Sequence, residues 1–341
     1  MPFIYDNNSN PTEVIFDGHS VDKVFWRNEE IWPNTPAYST TLYYWLESDG
    51  NGGYILHLNT QKVTSSYVSD PSPLSRQTQP RWVKESSSNP QGYTPSMVSQ
   101  VIVEADIYPR VLYWWFDGLT NCTTWTDINK IHTIYTTSMQ SVFYDCRKMS
   151  SFDSTSWYTD NVQTDNNAAF DNMFGNCYRL YTIDVSQFKF NNSTTIKQMF
   201  FGTGLRSIYG LNYWNLSNMT DLYGLFQEST YLNEVIVPSW DFGSRCNCSN
   251  MFDGCTRITK IDLSGVTRMG NCTAMFRSCS SLQHLDLSSL DASTITNTGT
   301  DMFKGCGSAN TVAYCRSAED KVILDAAVEE AGREWRFVVK E

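Results

Sequence analysis

The sequence is poor in the residues that drive charge-based and catalytic functions. Charged residues make up 18% of its 341 residues, the formal net charge is −11, and four histidines occur. Binding of nucleic acid or anionic lipid needs clustered Lys and Arg, and since no such cluster occurs we expect neither partner. Apolar runs of about 18 residues, which a membrane-spanning helix needs, are also lacking. The first residues do not follow the signal-peptide pattern either. We therefore expect synthesis in a cytoplasm and no membrane span.

Motifs of common catalytic sites are lacking as well. The histidines do not show the H-E-x-x-H spacing, and neither a G-x-S-x-G sequence nor a Walker-type loop occurs. A carboxylate pair for glycoside hydrolysis is a spatial arrangement that sequence does not exclude, but with 36 acidic residues a coincidental pair is expected. The sequence thus predicts a protein that is not an enzyme and that has no cofactor and no metal site.

What the sequence does contain is a repeated short signature, in which an apolar residue precedes a phenylalanine and a small residue follows three positions after it. Clear copies are MFGNC at 173–177, MFDGC at 251–255, MFRSC at 275–279 and MFKGC at 302–306. Including weaker copies, the signature recurs every 24 to 31 residues. The anchoring phenylalanines are Phe116, Phe143, Phe174, Phe200, Phe226, Phe252, Phe276 and Phe303.

A second element follows the signature, with apolar residues at its first, fourth and sixth positions, as in Leu282, Leu285 and Leu287. This is the strand pattern of leucine-rich repeats, and Gly210 interrupts it once. One repeat has too few apolar residues to form a core, so repeats must stack. The predicted fold class is a leucine-rich-repeat-like solenoid of about seven or eight repeats. Each repeat would have a short β-strand and a short helix or 3₁₀ turn that carries the phenylalanine.

Small residues form a column three positions after the phenylalanines. This column favours packing in a tight site over redox chemistry, so we expect mostly free, buried thiols. Disulfides between neighbouring repeats are conceivable but are not predicted. Cys246 and Cys248 form a C-x-C pair near Cys255 and Cys272, but structural zinc sites usually pair cysteines differently, so we predict no metal there. The column contains Cys146, Cys177, Thr203, Ser229, Cys255, Cys279 and Cys306.

Atypical segments flank the repeats of residues 111–316, as a stack needs at its two ends. Residues 37–110 predict an N-terminal cap, with a β-hairpin of Thr41–Leu46 and Tyr54–Leu58 and a strand at Val98–Val103. Residues 317–341 predict a C-terminal cap, in which a helix begins after Ser317, ends at Gly332 and precedes a strand at Trp335–Val339. The buried face of this helix is expected to contain Val322, Ile323, Ala326 and Ala327.

Residues 1–36 differ from the rest of the chain. The runs EVIF, VDKVFW and EEIW are separated by Asp17-Gly18 and Arg27-Asn28, which predicts a three-stranded meander ending at Pro33 and Pro36. A sheet of this size is marginally stable and needs a partner surface. We therefore interpret it as a docking module and linker. Its candidate docking residues are Ile15, Phe16, Val24, Phe25, Trp26, Ile31 and Trp32.

Two outward positions of each predicted strand line up from repeat to repeat in columns. One column contains Ser151, Thr182, Ser207, Glu234, Lys260 and His284, and the other contains Asp153, Asp184, Tyr209, Ile236, Asp262 and Asp286. For the aspartates we favour hydrogen bonds to nearby backbone. Tyr209 and Ile236 interrupt the acidic column and, with Arg206 at their edge, predict an apolar contact patch. The candidate partner-binding residues are Arg206, Tyr209, Glu234, Ile236, Lys260 and His284.

The repeats resemble a known family. The segment MFRSCSSLQHLDLSS at 275–289 combines MF-x-x-C with L-x-x-L-D-L-S. This combination closely resembles the BspA-like branch of leucine-rich repeats, the bacterial surface-protein repeat of about 26 residues. The resemblance covers roughly residues 38–340. Members of that family look like surface adhesins that usually carry an export signal or an anchor, and we expect neither in this chain.

The opening segment IYDNNSNPTEVIFDGHSVDKVFWRNEEIW at 4–32 is similar to short N-terminal modules of bacteriophage virion proteins. Together the two resemblances imply a virion structural protein, as a tail or head fibre or a decoration component, in a symmetric assembly. Residues 1–36 would bind other virion proteins, and the repeats would face a host-surface glycan or protein. The alternative is a bacterial cell-surface adhesin of the BspA-like family, exported by an unrecognised route.

Overall fold

A computed structural model of the chain describes residues 38–63, 66, 68–69, 74, 80–83, 93–160, 162, 169–190, 195–242, 246–297 and 301–340. It also describes the backbone of four short strands between residues 14 and 32. The chain divides into two compact units, Met1–Tyr38 and Ser39–Glu341.

The described residues of the first unit contain four strands, whereas we expected three. They form two antiparallel pairs, β1 with β2 and β3 with β4. The run VDKVFW, predicted as one strand, is divided between β2 and β3, and aspartate, which occurs in this run, is unfavourable within strands. Asp17-Gly18, Arg27-Asn28 and both prolines lie outside the described residues. The strands are β1 (Val14–Phe16), β2 (His19–Val21), β3 (Val24–Trp26) and β4 (Glu29–Trp32).

The second unit begins with a mixed five-stranded sheet in the order β7-β5-β6-β8-β9. Strands β5 and β6 pair antiparallel, which confirms the predicted hairpin, and β8 has the predicted bounds. In the connection of the hairpin, the Asp49 carboxylate accepts hydrogen bonds from the N–H groups of Asn51 and Gly53, both at 2.8 Å. The strands are β5 (Tyr43–Ser48), β6 (Tyr54–Asn59), β7 (Val68–Ser69), β8 (Val98–Val103) and β9 (Thr124–Thr126).

The remaining strands all pair in parallel, and each partner lies one repeat further along the chain. Strands β10 (Thr182–Asp184) and β11 (Ser207–Tyr209) form a pair. The next five form one sheet in chain order. Their middle residues, such as Val235, Ile261 and Leu285, are aligned and buried. The five strands are β12 (Glu234–Ile236), β13 (Lys260–Asp262), β14 (His284–Leu287), β15 (Val312–Cys315) and β16 (Phe337–Val339).

Helical structure is limited in the described part of the chain. One α-helix, α1 (Ala318–Glu330), lies near the end of the chain. Single-turn 3₁₀ helices lie at Arg81–Val83, Pro95–Met97, Ile128–Lys130, Thr133–Tyr135, Leu211–Tyr213 and Ala292–Thr294. None of these short helices contains an anchoring phenylalanine, so the anchors are built in another way.

The eight anchoring phenylalanines form a continuous stack of rings. Successive ring centroids lie 5.4 to 5.9 Å apart, with interplanar angles of 4° to 21°. All eight side chains are fully buried. Offset-stacked rings at this separation add favourable aromatic contacts to the burial of apolar area. Each repeat therefore contributes one ring to a core that no single repeat could form.

The anchors are hydrogen-bonded turns, not the helical or 3₁₀ turns that we expected. In each anchor the residues two positions before and two positions after the phenylalanine have positive φ. Three N–H groups donate to the next repeat, as in Gly224 to Ser249 O (3.0 Å), Phe226 to Met251 O (2.9 Å) and Glu228 to Asp253 O (2.7 Å). The alternate N–H groups donate within the turn. This hydrogen-bond ladder links repeats on the side opposite to the strands.

The column of small residues closes each turn. The Cys255 thiol donates to Phe226 O at 3.0 Å, and the Ser229 hydroxyl donates to Phe200 O at 2.7 Å. Cysteine and serine are therefore interchangeable as small donors to the preceding phenylalanine carbonyl. All ten cysteines are buried and free, as expected. Burial raises the pKa of the Cys122 and Cys306 thiols to about 12, so neither is a thiolate at neutral pH.

The C-terminal segment covers the last anchor. The Trp335 ring meets Phe303 edge-on at 5.2 Å, and Phe337 does so at 5.9 Å. As predicted, Ser317 caps α1 by accepting from the Asp320 N–H, and Gly332 follows the helix with a φ of 66°. A tryptophan also contacts the first anchor. The Trp82 indole N–H donates a hydrogen bond to Trp115 O at 2.7 Å.

The prediction of the buried face of α1 was wrong in part, since Ala327 is buried and Ile323 packs against the core as expected. Val322 is 71% exposed and Ala326 is also exposed, whereas Leu324, Ala327 and Val328 are buried. The physical reason is Asp320, whose buried carboxylate accepts from the Ala292 N–H at 2.8 Å and directs its own side of the helix toward the repeats. The residues four, seven and eight positions later then share that side.

Candidate functional site

The outward side chains of β10 to β16 form the strand face. Side chains alternate along a strand, so the buried middle residue of each short strand leaves its two neighbours outward. The strand face is lined by Thr182, Asp184, Ser207, Tyr209, Glu234, Ile236, Lys260, Asp262, His284, Asp286, Val312, Tyr314 and Val338. The structure therefore places five of the six predicted partner-binding residues on the strand face. The sixth, Arg206, directly precedes β11.

The predicted columns are confirmed within each sheet. Glu234, Lys260 and His284 are aligned, as are Ile236, Asp262 and Asp286. The columns do not continue as far as we expected, because Ser151 and Asp153 lie outside any strand and because no described pairing joins β11 to β12. The Asn233 N–H donates to Arg206 O at 3.3 Å just before these two strands.

The repeat before this interruption is irregular at Gly210. Gly210 has a φ of +87°, and a Cβ at this position would lie 2.4 Å from the Ser186 backbone nitrogen. The chain therefore turns directly after Tyr209, and Leu211 is buried near the position that Val185, Val237 or Leu263 fills in other repeats. Tyr209 and Ile236 lie in two different sheets.

The aspartates of the acidic column stabilise turns. The carboxylates of Asp184, Asp262 and Asp286 each accept a hydrogen bond from the N–H group two residues later, at 2.9 to 3.0 Å. This confirms the interpretation that they bond nearby backbone. Tyr209 and Ile236, which take their place, are 60% and 41% exposed. Exposed apolar side chains in positions that otherwise stabilise turns mark the part of the face available to a partner.

Two tyrosine–arginine pairs border this part of the face, and sequence analysis missed both tyrosines. The Arg206 guanidinium lies over the Tyr181 ring, 5.1 Å from its centroid, and Arg257 lies over Tyr231 at 4.8 Å. Tyr181 and Tyr231 are 42% and 43% exposed. Each pair joins equivalent positions of adjacent repeats. Aligning the repeats on Leu180, Leu205, Leu232 and Ile258 would have revealed the pairing.

The other half of the face contains a shallow depression. It is lined by Lys260, Asp262, His284, Asp286 and Tyr314. Lys340 forms an ion pair with Asp286 and lies over the Tyr314 ring. Partial burial acts to raise the pKa of Asp286, but hydrogen bonds from Lys340 and Ser288 outweigh it and hold the pKa below its usual value. The depression is therefore an internally neutralised site, unlike the region around Arg206.

The candidate docking residues have their backbone on strands of the first unit. Ile15 and Phe16 lie on β1, Val24 to Trp26 form β3, and Ile31 and Trp32 end β4. Among the described residues, no group of three or more His, Cys, Asp or Glu is arranged to hold a metal ion. In the same part of the chain, no helix has the length and apolar composition needed to cross a membrane.

A protein family matches most of the repeat region. Its description is "Mycoplasma protein of unknown function, DUF285", and it matches residues 112–205 and 205–314, more than half of the chain. The chain belongs to this family. The DUF285 family is related to the BspA-like repeats, and its two matches begin near the first anchor and end within β15. No curated protein and no solved structure matches the chain.

Proposed function

We propose that this chain is a non-enzymatic structural protein of a bacteriophage virion, in a tail fibre, head fibre or decoration. Its repeats would form a leucine-rich-repeat solenoid of the BspA-like type that displays the strand face to a host-surface molecule or to another virion protein. The observation that carries the proposal is the exposure of Tyr209 and Ile236 at strand positions that turn-forming aspartates occupy on the neighbouring strands.

The stacked construction supports a display role. Parallel strands one repeat apart, a ring stack and a hydrogen-bond ladder together hold the outward residues at regular spacing. Regular arrays of this kind place many side chains toward one partner, which is how repeat proteins commonly bind. The cysteines and the anchoring phenylalanines are buried in the core, so they serve to hold the repeats together.

The first unit supports attachment to a particle. Its paired strands are only three or four residues long, and such hairpins are marginally stable without a partner surface. We propose that residues 1–36 bind other virion proteins in a symmetric assembly. A chain lacking residues 1–33 should be absent from purified particles although the repeats still fold, as measured by immunoblot of particles and by circular dichroism. Normal incorporation of the shortened chain would rule out the docking role.

The display role is tested on the patch itself. Replacing Tyr209 and Ile236 together with Asp should reduce adsorption of particles to host cells by about tenfold or more, because exposed aromatic and aliphatic residues supply much of the binding energy of an interface. Val322→Asp is the matched control, since Val322 is 71% exposed and lies on α1 instead of on a strand. Unchanged adsorption, or an equal loss in the control, would remove the patch from consideration.

A bacterial cell-surface adhesin is the second candidate function. The family description favours it, because it names a bacterial genus. The two functions predict different locations, which antibodies against the repeats distinguish. A virion protein should be found in purified particles, whereas an adhesin should be found in the envelope fraction of uninfected bacteria.

A further inference from the structure

Two arginines that precede strands, Arg206 before β11 and Arg257 before β13, differ from most basic residues of the chain in their contacts. Most Lys and Arg residues near the anchors and the C-terminus form ion pairs, such as Arg277 with Asp253 and Arg316 with Asp320. Within the described residues, Arg206 and Arg257 form none and instead lie over the exposed rings of Tyr181 and Tyr231. In a chain of net charge −11, two guanidinium groups without an ion pair each provide a local site for an anion.

The two pairs have a spacing that one extended ligand could span. They belong to four consecutive repeats, anchored at Phe174, Phe200, Phe226 and Phe252. Parallel strands lie about 4.8 Å apart, so four repeats extend over about 15 Å. Tyr209, at 60% exposure, lies between the two pairs along the chain.

Polar side chains separate the aromatic rings. Thr182 follows Tyr181 at the start of β10, Ser207 follows Arg206 at the start of β11, and Asn233 lies two residues after Tyr231, directly before β12. Ile236 is the one aliphatic residue among the outward residues of β10 to β12. A stable protein interface needs a core that is largely free of charge and about 800 Å² on each partner. Here the charged groups stand beside the rings, which favours a ligand that is itself both polar and ring-shaped.

We propose that this part of the strand face binds an acidic oligosaccharide. The guanidinium groups of Arg206 and Arg257 would each bind a carboxylate or sulfate through paired N–H groups, for which their planar shape is suited. The tyrosine rings would pack against the C–H faces of the sugars, and the intervening hydroxyl and amide groups would bond sugar hydroxyls. This inference rests on the proposed display function and names the ligand class of the same face.

The test uses isothermal titration calorimetry on the full chain. The acidic probes are oligogalacturonate, sialyllactose and chondroitin sulfate oligosaccharides, and the neutral probe is a maltooligosaccharide. At least one acidic probe should bind about tenfold or more tightly than the neutral probe, and added salt should weaken binding. A polyglutamate peptide tests for charge alone. Equal binding of the peptide, or no binding of any acidic saccharide, overturns the proposal.

Variants locate the site. Arg206→Gln and Arg257→Gln should each weaken binding of the acidic probe by about tenfold or more, because each removes a charge-assisted pair of hydrogen bonds. Arg268→Gln makes the same charge change at an exposed position outside the patch and should leave binding unchanged. Equal effects of all three substitutions would refute the assignment. Particles that still adsorb through Tyr209 and Ile236 while no saccharide binds would overturn the ligand class and leave the display function standing.

Discussion

At the residue scale, hydrogen bonds from small side chains join neighbouring repeats in addition to the packing of apolar side chains. The thiol or hydroxyl three positions after a phenylalanine donates to the carbonyl of the preceding repeat, as Cys279 does to Phe252 O at 3.1 Å. An unbonded buried carbonyl costs about 1 to 3 kcal/mol, so the column has a stabilising role. That role explains why cysteine and serine both occur there, whereas the Thr203 hydroxyl donates to the carbonyl of Phe200 in its own turn.

The carboxyl of Asp117, in the first anchor, makes the stability of the protein depend on pH. Burial and, second, the nearby Asp145 carboxylate raise the pKa of Asp117 from 3.8 to about 6. Because the folded state holds this proton more tightly than the unfolded chain, the contribution of Asp117 to stability is present below pH 4 and is lost as the pH rises through 6.

Asp117→Asn should therefore raise the free energy of unfolding at pH 7.5 by about 1 to 2 kcal/mol and change it little at pH 3.5, since asparagine resembles the protonated acid. Urea unfolding followed by circular dichroism at the two pH values measures this. Glu234→Gln, at an exposed carboxylate, is the control and should be neutral at both. A gain of the same size at pH 3.5 would contradict the buried-charge explanation.

At the element scale, Gly210 is the residue that fits β11 closely against the preceding repeat. Gly210 follows β11 with a φ of +87° and lies against the Ser186 backbone. Only a residue without a Cβ fits so close to the neighbouring repeat. The irregular repeat is thus a built feature, and it places Tyr209 at a sheet edge.

Gly210→Ala should destabilise the protein by about 3 kcal/mol or more, because a strained φ and a backbone clash combine. Gly50→Ala is the matched control, since Gly50 has a φ of +76° but no atom within 4 Å of the added Cβ. It should cost about 1 kcal/mol. Thermal and urea unfolding of both variants measures the difference, and equal losses would show that the close approach to Ser186 is unimportant.

At the scale of the whole molecule, the two sides of the stack differ in continuity. The ring stack and the turn ladder run unbroken past the interruption, with Phe200 and Phe226 5.8 Å apart and the Phe200 N–H bonded to Leu225 O. On the strand side, the described pairings end at β11 and resume at β12. In a stack held together by contacts between neighbouring repeats, such an interruption lowers the folding cooperativity of the repeats on its two sides.

Hydrogen exchange should reveal this difference. Amides of β10 and β11 should exchange at least about tenfold faster than those of β13 and β14, which lie inside the five-stranded sheet. Exchange measured by mass spectrometry on peptides from 178–212 and 256–290 compares the two groups. Equal protection would mean that the turn ladder alone determines stability.

The repeat period, the inward strand residues and the small-residue column could be predicted from sequence, because each follows from spacing within about 26 residues. The turns at the anchors were missed, although Gly, Asn or Asp stands two positions after Phe116, Phe143, Phe174, Phe200, Phe252 and Phe303, where positive φ favours them. Here the signal was present, and the helical expectation for leucine-rich repeats misled us.

The amino-acid sequence by itself determined which residues face the core, since apolar periodicity is local and burial is the dominant favourable free energy. Only the tertiary structure decided two further features: the buried side of α1 and the separation of Tyr209 from Ile236. Each depends on a contact between residues about one repeat apart, such as Asp320 with Ala292 or Gly210 with Ser186. Local periodicity carries no information about those contacts, because they form only when the repeats stack.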